Sequence, residues 1–218
     1  PTGEPFFAMK RVDGRSLADA IQAAPAFNQR LSLLPNLIGI VEAMAYAHGQ
    51  HVIHRDLKPA NILLGSFGES VIIDWGLAKD LSAAPGAAED LLTPLETEAG
   101  LTVSGTVMGT PAYMPPEQAR GGALDERADV YALGAILYHL LAGQAPYVGR
   151  ASGEVLKQVL QGPPRPLDER EPGIAPDLLA IVHKAMAREA AARYPSAYEL
   201  AEDLRRFQTG QLVGAHVY

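Results

Sequence analysis

Cysteine is absent from the 218-residue chain. That excludes a disulfide framework, a thiol nucleophile and a thiolate-bound metal, and it fits a cytoplasmic setting. No apolar run reaches the roughly 18 residues that a membrane span needs. The longest candidate, 131–143, is short and contains His139. No signal-peptide pattern opens the chain. It begins at Pro1 without an initiator methionine, so the expectation is a piece of a longer protein that continues, beyond the C-terminal end, into a sensor or a membrane anchor. Positive charge is also scarce: 18 Lys and Arg face 25 Asp and Glu, a net charge of −7. An acidic balance argues against nucleic acid as the main partner. What is present is ordinary for a globular protein, 48% apolar and 20% charged, which excludes a largely disordered chain, a collagen and a coiled coil.

The charge is unevenly spread. No basic residue lies between Lys79 and Arg120, while Asp80, Glu89, Asp90, Glu96, Glu98 and Glu117 contribute −6. Residues 81–110 are rich in Ala, Pro, Gly, Ser and Thr and hold no sustained period. They read as a long mobile loop, with an interdomain linker as the other reading left open by composition. Ahead of them, Phe6 to Met9 and Asp13-Gly14 give a strand-then-turn signal. Ser16 is placed to cap a helix over Leu17, Ala18 and Ile21. Leu34, Leu37, Ile38, Val41, Met44 and Ala45 keep a helical period, with Pro35 suited to the first turn. Ile62–Leu64 and Val71–Ile73, around Gly65-Ser66-Phe67-Gly68, predict a small hairpin.

The remainder predicts helices. Asp125 precedes a run through Val130, Leu133, Ile136, Leu137, Leu140 and Leu141 that ends at Gly143. Its apolar residues go nearly all the way round, so it should be buried on most sides. Ser152 is placed to cap a second helix, Pro176 to open a third, and Ser196 with Glu199 has capping-box spacing. Two short strands followed mostly by helices make one helix-dominated domain.

The segment His54-Arg55-Asp56-Leu57-Lys58-Pro59-Ala60-Asn61 concentrates the chemistry. A carboxylate, an ammonium and an amide oxygen lie within six residues, in a run without a helical period. They suit deprotonating a hydroxyl, neutralising a phosphate and holding a hard cation. Asp74, followed by Trp75-Gly76, stands 13 residues after Asn61 and offers a second oxygen ligand. A solvated polar loop and a turn would account for either piece alone.

Taken together, the two pieces resemble the catalytic and magnesium loops of eukaryotic-like protein kinases, H-R-D-L-K-x-x-N followed by D-F-G. The likeness continues at Gly109-Thr110-Pro111-Ala112-Tyr113-Met114-Pro115-Pro116-Glu117, at Asp129-Val130-Tyr131-Ala132-Leu133-Gly134, at Arg193-Tyr194-Pro195-Ser196 and at Phe6 to Gly14. The nearest flavour is the bacterial serine/threonine (Hanks-type) branch. The resemblance implies a protein-kinase-like α+β fold: a mainly helical C-lobe with a small β-hairpin at the active site, most of the β-rich N-lobe missing. Residues 1–14 would be the last N-lobe strand and hinge. Residues 15–207 would be the C-lobe, with a catalytic loop at 54–61 and an activation segment at 74–117, and 208–218 a tail leading out of the domain.

Roles follow from the resemblance residue by residue. Asp56 would accept the substrate hydroxyl's proton, Lys58 would stabilise the transferring phosphoryl, and Asn61 and Asp74 would hold Mg²⁺ on ATP. Met9 would be the gatekeeper behind the adenine, with the Lys10 carbonyl and Val12 N–H on its edge. Thr110 would position the substrate. Thr106 would be the activating phosphosite, with Thr102 and Ser104 secondary, and Arg55 and Lys79 would pair with its phosphate. His54 would be a packed loop anchor, Asp129 a buried acceptor for the loop's amides, and Glu117 with Arg193 a buried ion pair. His48, His51, His139 and His183 have no metal-ligand company and read as packing or surface residues. The expected partner is a protein with a Ser or Thr acceptor, with autophosphorylation or dimerisation in trans alongside.

Three departures qualify the likeness. The chain holds no G-x-G-x-x-G strand pair, no V-A-I-K-type lysine and no helix with its glutamate partner, so these residues alone are expected to be inactive. Trp75 stands where phenylalanine is usual, and Pro115 where alanine is usual. Two rivals remain: a pseudokinase-like scaffold without catalysis, and a small-molecule phosphotransferase.

Overall fold

A computed structural model describes residues 14–82 and 111–218. The chain enters through β1 (Arg15–Ser16) and turns at once into α1 (Leu17–Gln22). The Ser16 hydroxyl accepts the Asp19 N–H at 3.1 Å, satisfying one of the donors a helix start leaves open. α2 (Phe27–Leu31) and α3 (Leu34–Gly49) follow, with Pro35 in the first turn of α3, where its missing N–H removes no helical bond. β2 (Val52–Ile53) leads through a 3₁₀ turn, Pro59–Asn61, to β3 (Ile62–Leu64), β4 (Ser70–Ile72) and β5 (Lys79–Asp80).

After the undescribed stretch come a 3₁₀ turn, Pro111–Tyr113, then α4 (Pro116–Ala119) and α5 (Glu126–Ala142). α6 (Ser152–Gln161), α7 (Leu167–Arg170), α8 (Pro176–Ala185) and α9 (Ala197–Gln208) complete the helices.

The predicted hairpin is the middle of a three-stranded antiparallel sheet in the order β1-β3-β4, with Ile62 opposite Ile72 and Arg15 opposite Leu64. A second pair joins β2 to β5, Ile53 opposite Lys79. Both β1 and the β2–β5 pair escape a sequence reading, because two-residue strands carry no period.

α5 is the axis of the molecule. From Ala128 to Leu141 every residue but His139 is buried, as its all-round apolar pattern predicts. Asp125 caps it at 2.9 Å from the Arg127 N–H, and Gly143 closes it at φ +69°. Gly134 lets α8 approach: a Cβ there would lie 2.7 Å from the Ala185 Cβ. α3 and α9 pack antiparallel, since Glu42 meets Arg205 at one end and His48 meets Ala197 at the other.

One detail corrects the sequence reading. α6 begins at Ser152 without a cap from its hydroxyl; Ala151 holds the cap position, and the Glu154 carboxylate accepts the Arg150 N–H at 2.9 Å. The residues after α9 pack back on the helices. Val213 is buried, the Gly214 N–H bonds the Asp203 carboxylate at 2.7 Å, and the Tyr218 hydroxyl reaches Asp177 at 3.0 Å. Among the described residues no helix is long and apolar enough to cross a membrane.

Candidate functional site

The loop from His54 to Asn61 lies over the first turn of α5, and Asp129 holds it there. That carboxylate is 1% exposed. It accepts the His54 N–H at 2.8 Å on one oxygen and the Arg55 N–H at 2.9 Å on the other. A buried carboxylate is tolerated only where donors replace its water, and these two amides do so. His48 supplies a third donor: its Nδ1 accepts the Ala197 N–H at 3.1 Å, so Nε2 donates to Asp129, also at 3.1 Å. The start of α9 is thereby linked through α3 to the loop. His54 is fully buried, its Nε2 donating to the Ile73 carbonyl at 3.2 Å and its Nδ1 facing the Asp56 N–H at 3.3 Å.

These anchors fix the loop that carries the polar cluster. The Asp56 carboxylate meets the Lys58 ammonium at 2.6 Å, and the Asn61 amide at 3.3 Å. Asn61 also donates to the Asp56 carbonyl at 3.0 Å. Both Asn61 bonds use its nitrogen, which leaves its Oδ1 available as a ligand. The Asn61 carbonyl accepts the Ile73 N–H at 2.9 Å, extending the β3–β4 ladder and carrying the chain directly into Asp74. Asp74 is exposed and left-handed at φ +65°, and its carboxylate makes no hydrogen bond or ion pair among the described residues. Trp75 packs its ring 4.8 Å from that of His54 and donates Nε1–H to the Ile72 carbonyl at 3.2 Å. The bulkier aromatic is therefore accommodated partly exposed at the edge of the site.

A second wall comes from residues 111–119. Glu117 and Arg193 form a two-point pair at 2.6 and 2.8 Å, with the Arg193 side chain fully buried. All five Arg193 donors are used: the other three go to the carbonyls of Ala187, Arg127 and Arg188 at 2.7, 2.9 and 3.1 Å. Gln118 donates its amide to the Arg55 carbonyl at 2.9 Å. The Tyr113 hydroxyl bonds His139 Nδ1 at 2.7 Å. Burial pushes Tyr113 well above the usual phenol range. His139 is pushed down to about 4, by burial first and by the charge of Arg30 second.

The structure thus brings Asp56, Lys58 and Asn61 into contact, and places Asp129 under the loop. Arg55, at φ +69°, donates its Nε–H to the Leu77 carbonyl, and Lys79 is exposed on β5. Met9, Lys10, Val12, Thr102, Ser104, Thr106 and Thr110 lie outside the described residues.

Four residues of the network escape the sequence reading. His48 and His139 read as packing, because their partners, Asp129 with Ala197 and Tyr113, are distant in the chain or unremarkable in type. Gln118 has no motif to mark it. Arg30, buried, donates to the Leu140 and Leu141 carbonyls at 3.1 Å each and pairs with Glu171 at 3.0 Å, closing the end of α5. A lone arginine in an amphipathic stretch carries no signal of that.

The oxygen donors here are of the kind a hard cation takes. Asn61 Oδ1 and the Asp74 carboxylate are oxygen ligands suited to Mg²⁺. Among the described residues no group of three or more His, Cys, Asp or Glu is assembled as a self-sufficient metal cage.

The protein kinase domain model matches residues 3–203. The chain is 33% identical over 209 residues to the serine/threonine-protein kinase PknB of Mycobacterium leprae, covering 95% of this chain and 31% of that protein. It is 33% identical over 213 residues to a probable serine/threonine-protein kinase of Streptomyces coelicolor, covering 97% and 29%. It is 34% identical over 209 residues to a probable PknB of Corynebacterium glutamicum, covering 94% and 30%. The chain therefore spans about a third of the length of these relatives.

Proposed function

The chain belongs to the protein kinase domain family, and on that premise we propose that it is the C-lobe and hinge of a serine/threonine kinase acting on proteins. The observation that carries this reading is the Asp56–Lys58–Asn61 cluster: an acceptor carboxylate, an ammonium at 2.6 Å and an amide held to the same carboxylate at 3.3 Å.

In the proposed reaction a Ser or Thr hydroxyl of a protein lies against Asp56. The carboxylate takes its proton as the oxygen attacks the γ-phosphorus of ATP and the bond to the bridging oxygen of ADP breaks. Lys58 serves twice: it keeps Asp56 oriented and puts positive charge where the transferring phosphoryl gathers negative charge. Asn61 and Asp74 would hold Mg²⁺. When bound, the ion neutralises the phosphate oxygens and orients them. Met9, Lys10 and Val12 would receive the adenine, and Thr110 would line the acceptor site. Phosphate on Thr106, with Thr102 and Ser104 secondary, would be paired by Arg55 and Lys79. The buried groups His54, Asp129 and Arg193, with the half-buried Glu117, hold the two walls and take no part in the chemistry.

The 218 residues contain no glycine-rich loop and no strand lysine to clamp the phosphates. We therefore assign transfer to the longer protein and expect these residues alone to be inactive. The scaffold alternative is disfavoured because a module without catalysis has no need of both Asn61 and Asp74 at the same edge.

The test is phosphotransfer from Mg-ATP by the full-length protein, with casein and an aminoglycoside as parallel acceptors, beside Asp56→Asn. Phosphoserine or phosphothreonine in casein, lost by about 10²–10⁴-fold in the variant, is expected. Transfer to the aminoglycoside alone would give the site to small-molecule chemistry. No transfer to either, with Mg-ATP bound or not, would give it to the scaffold.

A further inference from the structure

We infer that Gln118 is a positioning residue for the proposed transfer: its side-chain amide holds the Arg55 carbonyl and so sets the direction of Asp56. This rests on the reading of Asp56 as the acceptor of the substrate's proton.

The argument starts from the backbone. Arg55 stands at φ +69°, a region that a residue with a Cβ adopts only when its surroundings hold it there. Asp129 holds the N–H groups of His54 and Arg55. Both of those bonds lie upstream of the Arg55 ψ rotation, so they leave the next peptide plane free to turn. That plane, between Arg55 and Asp56, is the one that places the Asp56 Cα and Cβ. It has two polar groups of its own. Its N–H faces His54 Nδ1 at a long 3.3 Å, and its carbonyl accepts from Gln118 Nε2 at 2.9 Å. The closer hold on the plane is therefore Gln118.

That hold is itself well anchored. Gln118 sits on α4 next to Glu117, which the fully buried Arg193 grips at two points. The loop is thus held at successive peptide planes, by Asp129 on α5 up to the Arg55 N–H and by Gln118 on α4 at the Arg55 carbonyl. Beside the clamp is a cavity of about 20 Å³ lined by Arg55, Asp56, Tyr113, Gln118 and Asp129 among others, enough for one water. If the amide were removed, water entering here would satisfy the Arg55 carbonyl without fixing its direction. A glutamine that merely satisfied a carbonyl would be replaceable by that water without consequence. A positioning glutamine would not be.

Two variants separate these roles. Gln118→Met keeps length and shape without the donor. Gln118→Glu presents an oxygen to the carbonyl when ionised and a donor again when protonated. Arg55, Asp56 and Asp129 line the cavity with that position, and Glu117, paired with Arg193, precedes it on α4. The first measurement is amide hydrogen exchange by NMR on the 218-residue chain, which needs no catalysis. In Gln118→Met the Asp56 amide should exchange roughly tenfold faster while the His54 and Arg55 amides, held by Asp129, keep their protection. The second is kinetics of the full-length protein. kcat should fall roughly 10- to 100-fold at unchanged ATP KM, and Gln118→Glu should match Gln118→Met at pH 8 and regain activity as pH falls. Unchanged Asp56 exchange would overturn the inference, as would equal loss of protection at all three amides. Selective loss at Asp56 with transfer unaffected by Asp56→Asn would leave the clamp standing and remove the proposed base instead.

Discussion

Asp129 commits both carboxylate oxygens to donors inside the lobe, whereas Asp74 keeps both at its surface without a partner among the described residues. The residue type is the same and the physical situation is opposite. Around Asp129 the chain is helical, buried and fully hydrogen-bonded. Around Asp74 it is irregular and exposed, with left-handed residues at Arg55 and Asp74. Strain of that kind costs on the order of 1 kcal/mol per residue, and it persists because the body beneath holds the loop. The comparison teaches that stability and chemistry are assigned to different regions. The helical body carries the buried polar anchors, and the face above it carries the Asp74 carboxylate, which has no partner among the described residues.

The largest expected effect lies in the body. Arg193→Met leaves Glu117 and three carbonyls without their donor, and should cost about 3–5 kcal/mol, read as a fall in the urea midpoint. A small effect would mean that the two-point pair is an ornament and would weaken the contrast with the exposed face.

Acid should act on the same region. His139 is held at about 4 by burial, below the ordinary 6.5. The unfolded chain therefore binds this proton first, and stability is lost as pH falls from 6.5 toward 4, by about 3 kcal/mol in all. His139→Gln, which does not titrate, should remove that part of the acid limb while leaving the neutral-pH midpoint nearly in place. An unchanged acid limb would mean that other groups carry it.

A smaller effect is expected where the body ends in solvent. Ser196 closes the start of α9 with a reciprocal capping box, its hydroxyl accepting the Tyr198 N–H at 3.1 Å and Glu199 accepting the Ser196 N–H at 3.0 Å. Ser196→Ala should cost about 1 kcal/mol. Because Ala197 feeds His48 and so Asp129, the same change should also sharpen the comparison: a disturbance of the His54 and Arg55 amides in NMR would show that the cap is felt at the loop.

Much of the body was legible in the sequence. The caps at Ser16, Asp125 and Ser196, the first-turn prolines 35 and 176, the terminal Gly143 and the all-round apolar pattern of α5 each leave a local mark. The hairpin was legible for the same reason. What escaped is long-range: the β2–β5 pair, the Arg30 closure of α5, His48 between α9 and Asp129, and Gln118 on the Arg55 carbonyl. Each joins residues far apart in the chain, and none has a periodicity or a spacing to show it. At the site, the cluster of Asp56, Lys58 and Asn61 was readable because its members are neighbours. The hold on the Arg55 carbonyl was not, because it comes from 63 residues away.

The separation of body from face is tested most directly by urea unfolding of Asp129→Asn and Asp74→Asn side by side. Asp129→Asn sets an amide nitrogen against donors that need an acceptor, and should lower stability by about 3 kcal/mol. Asp74→Asn should leave it within about 0.5 kcal/mol of the unaltered chain. Equal losses in the two variants, or a loss confined to Asp74→Asn, would contradict the account.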